Sequence, residues 1–185
     1  MAGDSPPSES AGPPAVDSSV PADSAPLTVD TLPPLTPDGW GPLQVGMTLA
    51  EIVAAAGDDA NPGAVGGPDP DSCDEFRPER APAGLLVMVE QGRLTRISLL
   101  AGSPVRTERG FMVGDSASAV EAAYGAEAVT SPHKYVPAPA RYVTVWRTEP
   151  PSSGARGLVY EVGADGLVSH IHAGGPSIQY VEGCL

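Results

Sequence analysis

The sequence predicts an α+β domain in which short helices cover one face of an antiparallel sheet. Three observations carry this expectation. Two segments, 41–57 and 110–125, each read as a short capped helix. Each is followed by apolar alternation broken by a glycine-bearing turn, the pattern of a hairpin. And 22 prolines and 22 glycines in 185 residues argue against a helical bundle, because both are poor in helix interiors.

The composition divides the chain. Residues 1–38 hold nine prolines and six acids, with no Lys or Arg, and no aromatic precedes Trp40. So little apolar surface cannot offset ordering entropy, so 1–38 is expected to be a disordered Pro/Ser/Asp-rich tether. Residues 39–185 are expected to form the folded domain, of ordinary single-domain size.

In the first helical segment Thr48 is the N-cap and Glu51, three residues on, completes a capping box. Leu49, Ile52, Val53 and Ala56 then share a face, and Gly57 stands where a left-handed residue ends the helix. In the second segment Ser116 is the expected cap, Val120 and Tyr124 face inward, and Gly125 is the stop. At a constant offset of 68, Leu43 matches Phe111, Val45 matches Val113, Gly46 matches Gly114 and Gly57 matches Gly125. The chain is therefore expected to carry two tandem repeats, about 40–105 and 106–185.

The strands follow in order. Residues 84–90 and 93–99 form the first expected hairpin, around Gln91-Gly92, and 157–162 and 167–172 the second, around Asp165-Gly166. A further strand is expected at Tyr142–Thr148, and Ser177–Val181 reads as one more. If Leu85, Val87, Val89, Ile97, Leu158, Tyr160, Val162 and Ile171 face the helices, alternation sends their neighbours to the other face. That face is expected to be open to solvent, as antiparallel sheets allow.

The repeat motif Val45-Gly46-Met47-Thr48, with Glu51-Ile52 and Gly57, resembles the β-lactamase-inhibitor-protein-like fold and the small outer-membrane assembly lipoproteins. The resemblance covers residues 40 to about 175 and implies a continuous concave sheet that binds partners. It is weaker in the second copy, where Gly114-Asp115-Ser116 replaces Gly-Met-Thr. Those inhibitors bridge cysteines within each repeat, whereas each copy here has one, and none of their inhibitory loop residues is matched. Lactamase inhibition is not carried over.

The formal charge of −13 speaks against nucleic acid and against docking on anionic lipid. No run of 18 apolar residues suggests a membrane span. No signal segment is visible, which leaves a cytoplasmic reading or an exported one whose leader or lipid anchor lies upstream of residue 2. The exported reading is taken: secreted, periplasmic or lipid-anchored. Cys73 and Cys184 either form a bridge, which loop entropy would make worth about 4–5 kcal/mol, or stay reduced; the bridge is expected.

The candidate site is the open face. Met88, Glu90, Arg96, Tyr142, Trp146, Glu161, His170 and His172 supply the aromatic, Met and Arg composition of a protein-binding patch. No catalytic residue, cofactor or metal is expected, and the partner is another protein, with the chain a monomer. The alternative is a metal-dependent or hydrolytic enzyme using His170, His172 and Glu161, since His residues two apart on a strand point the same way. A third reading is a structural envelope lipoprotein. The acids between Asp58 and Glu75 lack the EF-hand pattern, because Asp74 and Arg80 stand where Gly and Glu are required. His133-Lys134-Tyr135 reads as a packed, proline-flanked turn.

Overall fold

A computed structural model of the chain describes residues 1, 3 and 32–185. A small three-stranded meander comes first: β1 (Leu35–Thr36), β2 (Gly39–Trp40) and β3 (Leu43–Gln44). Helix α1 (Leu49–Ala56) follows, then β4 (Cys73–Phe76), β5 (Leu85–Glu90) and β6 (Arg93–Leu99). After α2 (Ala117–Tyr124) come β7 (Ala128–Pro132), β8 (Arg141–Thr148), β9 (Arg156–Val162) and β10 (Val168–Gly174). These last seven strands make one antiparallel sheet in the order β4-β5-β6-β10-β9-β8-β7. The architecture is α+β, as expected.

The helix-facing side of the sheet matches the alternation. Leu85, Val87, Val89, Ile97, Leu158, Tyr160, Val162 and Ile171 all lie in the core cluster, with Ile52 and Ala56 of α1 and Val120 and Tyr124 of α2. Helices of eight residues are too short to persist alone, so this burial is what holds them. Thr48 and Glu51 form the expected capping box, but Ser116 does not cap: its hydroxyl bonds Ser118 Oγ at 2.7 Å. The β5–β6 turn needs two left-handed residues, Gln91 at φ 49° and Gly92 at φ 72°, which is the conformation a two-residue hairpin demands.

Both central strands carry a bulge. Pairing shifts register between Met88↔Arg96 and Val89↔Leu94, and again between Val168↔Val162 and His170↔Glu161. The extra residues are Thr95 and Ser169. Leu94 and Val168 stay in the core while Arg96 and His170, two residues on, turn to the opposite face. The bulges therefore aim the chemistry-bearing side chains away from the helices.

Three expectations are corrected. The folded part begins before residue 39, since Leu35 is fully buried and Asp38 pairs bidentately with Arg147. The rest of the expected tether, apart from Met1, Gly3 and residues 32–34, lies outside the described residues. Ser177–Val181 is not a strand: Pro176–Gln179 form a 3-10 turn, because Pro176 cannot donate to a ladder. And the second sheet face is not open. Residues 175–185 lie across it as a strap, burying Leu86, Met88, Arg96, Ser98 and Val159. Among the described residues no helix is long and apolar enough to cross a membrane.

Candidate functional site

The strap is fastened at three levels. At its start Gly175 donates its N–H to Thr95 O at 3.0 Å. In the middle Ile178 is buried and Arg96 Nη1 donates to the carbonyls of Ser177 at 3.2 Å and Tyr180 at 3.0 Å. At its end Cys184 is bonded to Cys73 on β4. Arg96 is 3% exposed, and burial pulls its pKa down while the Glu75 carboxylate, 2.5 Å from Nη2, opposes that shift. A buried guanidinium needs such a partner to offset its desolvation.

Beyond the strap, Glu161 on β9 is the centre of a polar cluster. Its Oε1 lies 3.1 Å from His133 Nε2, and its Oε2 lies 3.6 Å from His170 Nδ1 and 3.8 Å from His172 Nε2. The three histidines of the chain thus converge on one carboxylate. His133 Nδ1 accepts the backbone N–H groups of Tyr135 and Val136, so the proton sits on Nε2 and is donated to Glu161. The same ring stacks on Tyr142, centroids 4.8 Å apart. His172 Nδ1 is hydrogen-bonded to Ser98 Oγ at 2.8 Å. Burial pushes His172 down to about 4, so it is a neutral imidazole at pH 7. The imidazoles of His170, His172 and His133 gathered around it, in the face of burial, hold Glu161 well below the usual carboxylate range; of the three, His133 is within hydrogen-bond distance. The cluster is therefore one ionised carboxylate surrounded by imidazoles. Among the described residues, no group of three or more His, Cys, Asp or Glu is arranged to hold a metal ion.

Glu161 opens into a cleft of about 260 Å³ between the sheet and the strap. Tyr142, Thr144, Val159 and His172 form its floor, with Ile178 and Tyr180 of the strap and Lys134 of the preceding loop around it. Tyr142 Oη is buried without a hydrogen-bond partner.

The expected site residues divide accordingly. Tyr142, Glu161, His170 and His172 come together at the cluster. Met88, 1% exposed, and Arg96 lie under the strap, out of reach of a partner. Glu90 borders a separate recess with Cys73, Lys134 and Glu182. Trp146 lies at the far end of β8, over Gly157, where an added Cβ would sit 2.6 Å from the indole. His133, expected only as part of a packed, proline-flanked turn, is the member of the cluster that strand alternation does not indicate.

No family model matches the chain, and no curated protein does. A solved structure that does match is that of an extracellular protein containing a SCP domain from Bacillus anthracis, at 8% identity and a TM-score of 0.45. The match covers 71% of this chain and 44% of that one, so the chain spans less than half the length of the protein it matches. The expected kinship with the β-lactamase-inhibitor-protein-like fold and the small assembly lipoproteins is thereby corrected: the match is to a protein of another kind. The short Gly-Met-Thr helix start behind that resemblance is a turn and cap that many helices need. The Cys73–Cys184 bridge is of the kind that persists in an oxidising environment, which accords with the expected extracytoplasmic compartment.

Proposed function

We propose that the chain is a non-enzymatic binding module that engages another protein at the rim of the Glu161 cleft. One observation carries this reading. Of the large apolar side chains left exposed among the described residues, Val129, Tyr135, Tyr180, Val181 and Leu185 belong to β7, the loop after it and the strap. Those segments frame the cleft. Tyr180 is 47% exposed although the strap has Ile178 buried two residues earlier. Exposed aromatics gathered around a polar recess are the composition of a binding hot spot, whereas scattered exposed apolars are ordinary.

The test is capture from an extracytoplasmic fraction by the wild-type chain and by Tyr135→Asp/Tyr180→Asp. A protein held by the first and lost from the second supports the reading. Equal capture by both, with the variant folded, overturns it.

We also infer that the two halves are copies of one unit. Matching backbone bonds support this: Gly46 N–H to Leu94 O at 2.7 Å and Gly114 N–H to Val168 O at 2.8 Å, with Leu94 N–H to Met47 O and Val168 N–H to Asp115 O both at 2.8 Å. The bulges at Thr95 and Ser169 fall at the same place in each half. In that reading Met88 and Arg96 of the first half correspond to Glu161 and His170 of the second. The strap covers the first pair, whereas Glu161 of the second pair borders the cleft.

A further inference from the structure

We infer that the cleft receives the cationic end of a lysine or arginine side chain presented by the partner protein, with Glu161 as its counter-ion. This deepens the binding-module reading and rests on it. Size comes first. Small-molecule sites run from about 300 to 1,000 Å³, and about 260 Å³ suits a single long side chain.

Charge comes second. The formally charged residues lining the cleft are Glu161 and Lys134. Lys134 stands at the mouth, half-exposed, with its Nζ 3.6 Å from Glu182 and over the ring of Tyr135. The other nearby cation, Arg96, is committed to Glu75 and two strap carbonyls. His133 donates an N–H to Glu161 without cancelling its charge, and His172, a neutral ring 3.8 Å away, does not cancel it either. The interior of the cleft is thus net negative.

Chemistry comes third. An ammonium or guanidinium needs several acceptors around it. Glu161 has lone pairs beyond the one that His133 occupies, and Thr144 and Tyr142 add hydroxyl oxygens, that of Tyr142 having no partner. The rings of Tyr142 and Tyr180 supply surface for methylenes and for cation–π contact. A chain of charge −13 also steers a basic surface toward itself.

The experiment is a titration of the full-length isotope-labelled chain by amide NMR. The probes are the Nα-acetyl N-methylamides of lysine and arginine, against those of norleucine and glutamate. The cationic probes are expected to give saturable shifts at Tyr142, Glu161 and Tyr180, with little effect from norleucine. Glu161→Gln should weaken that binding about tenfold or more, the worth of a charge-assisted hydrogen bond. Lys134→Met, at an exposed position, should tighten it roughly two- to fivefold by removing a like charge. It carries the test even if Glu161→Gln does not fold.

Equal response to norleucine, preference for glutamate, or no saturable shift from either cation would overturn the assignment. If the cations fail while Tyr135→Asp/Tyr180→Asp still loses its captured protein, only the cation assignment falls. If that variant keeps its partner, the rim reading itself falls.

Discussion

Glu161 shows how much of a site depends on the protonation of its neighbours. Were its histidines charged, the cluster would be a cationic patch; with His172 neutral and His133 donating from Nε2, it is an anionic one. The same arrangement sets a pH dependence. The His172 pKa is lowered in the folded state to about 4, against an ordinary 6.5. Between those values the unfolded chain binds the proton and the folded chain does not, so stability rises with pH across this window and falls on acidification. Stability should drop by about 2 kcal/mol from pH 7 to pH 5, as read from urea midpoints. Glu161, whose pKa is also lowered, adds its own loss as pH falls through the usual carboxylate range and below, so it contributes little between pH 7 and pH 5. His172→Gln should flatten the profile; an unchanged slope would mean that His172 is not the group responsible. Tyr142, Glu161, His170 and His172 were legible as one face from alternation alone. His133 was not, because a loop residue reaches its partner through tertiary placement that no periodicity encodes.

The elements divide in the same way. Every strand residue assigned inward lies in the core cluster, because a period of two leaves little freedom once one face packs on helices. The opposite face misled because its cover is not a helix or strand. The strap is a 3-10 turn and a few irregular residues, held by Arg96, Ile178 and a disulfide 111 positions long. Such a cover leaves almost no pattern in the sequence: a single buried isoleucine and a cysteine near the end. The two bulges were equally hidden, yet they decide that Arg96 and His170 leave the core side. The two helix starts differ in strength despite similar sequences. Thr48 Oγ1 accepts the Glu51 N–H and Glu51 reciprocates, while the Ser116 hydroxyl is spent on Ser118. Thr48→Ala should cost about 1 kcal/mol in chemical unfolding, and Ser116→Ala less than about 0.5 kcal/mol. Equal losses would show that Ser116 caps in solution.

At the scale of the molecule, the strap turns a broad sheet face into a bounded cleft. The sheet joins its halves through β6 and β10 at the centre, and the disulfide ties the last residues back to the edge strand β4. What would have been a wide, mixed surface is broken into recesses, the Glu161 cleft among them, with Tyr180 and Val181 of the strap at its border. The charge of −13 was visible in the sequence as a fact about partners; the fold locates one part of it where a partner's side chain can reach. The central claim is that this rim is where the partner docks. Photo-crosslinking in intact cells tests it most directly, with p-benzoylphenylalanine placed either at Tyr180 on the rim or at Leu49, exposed on the helix side of the sheet. The account predicts a discrete protein adduct from position 180 and none from position 49; an adduct from position 49 with none from position 180 would contradict it.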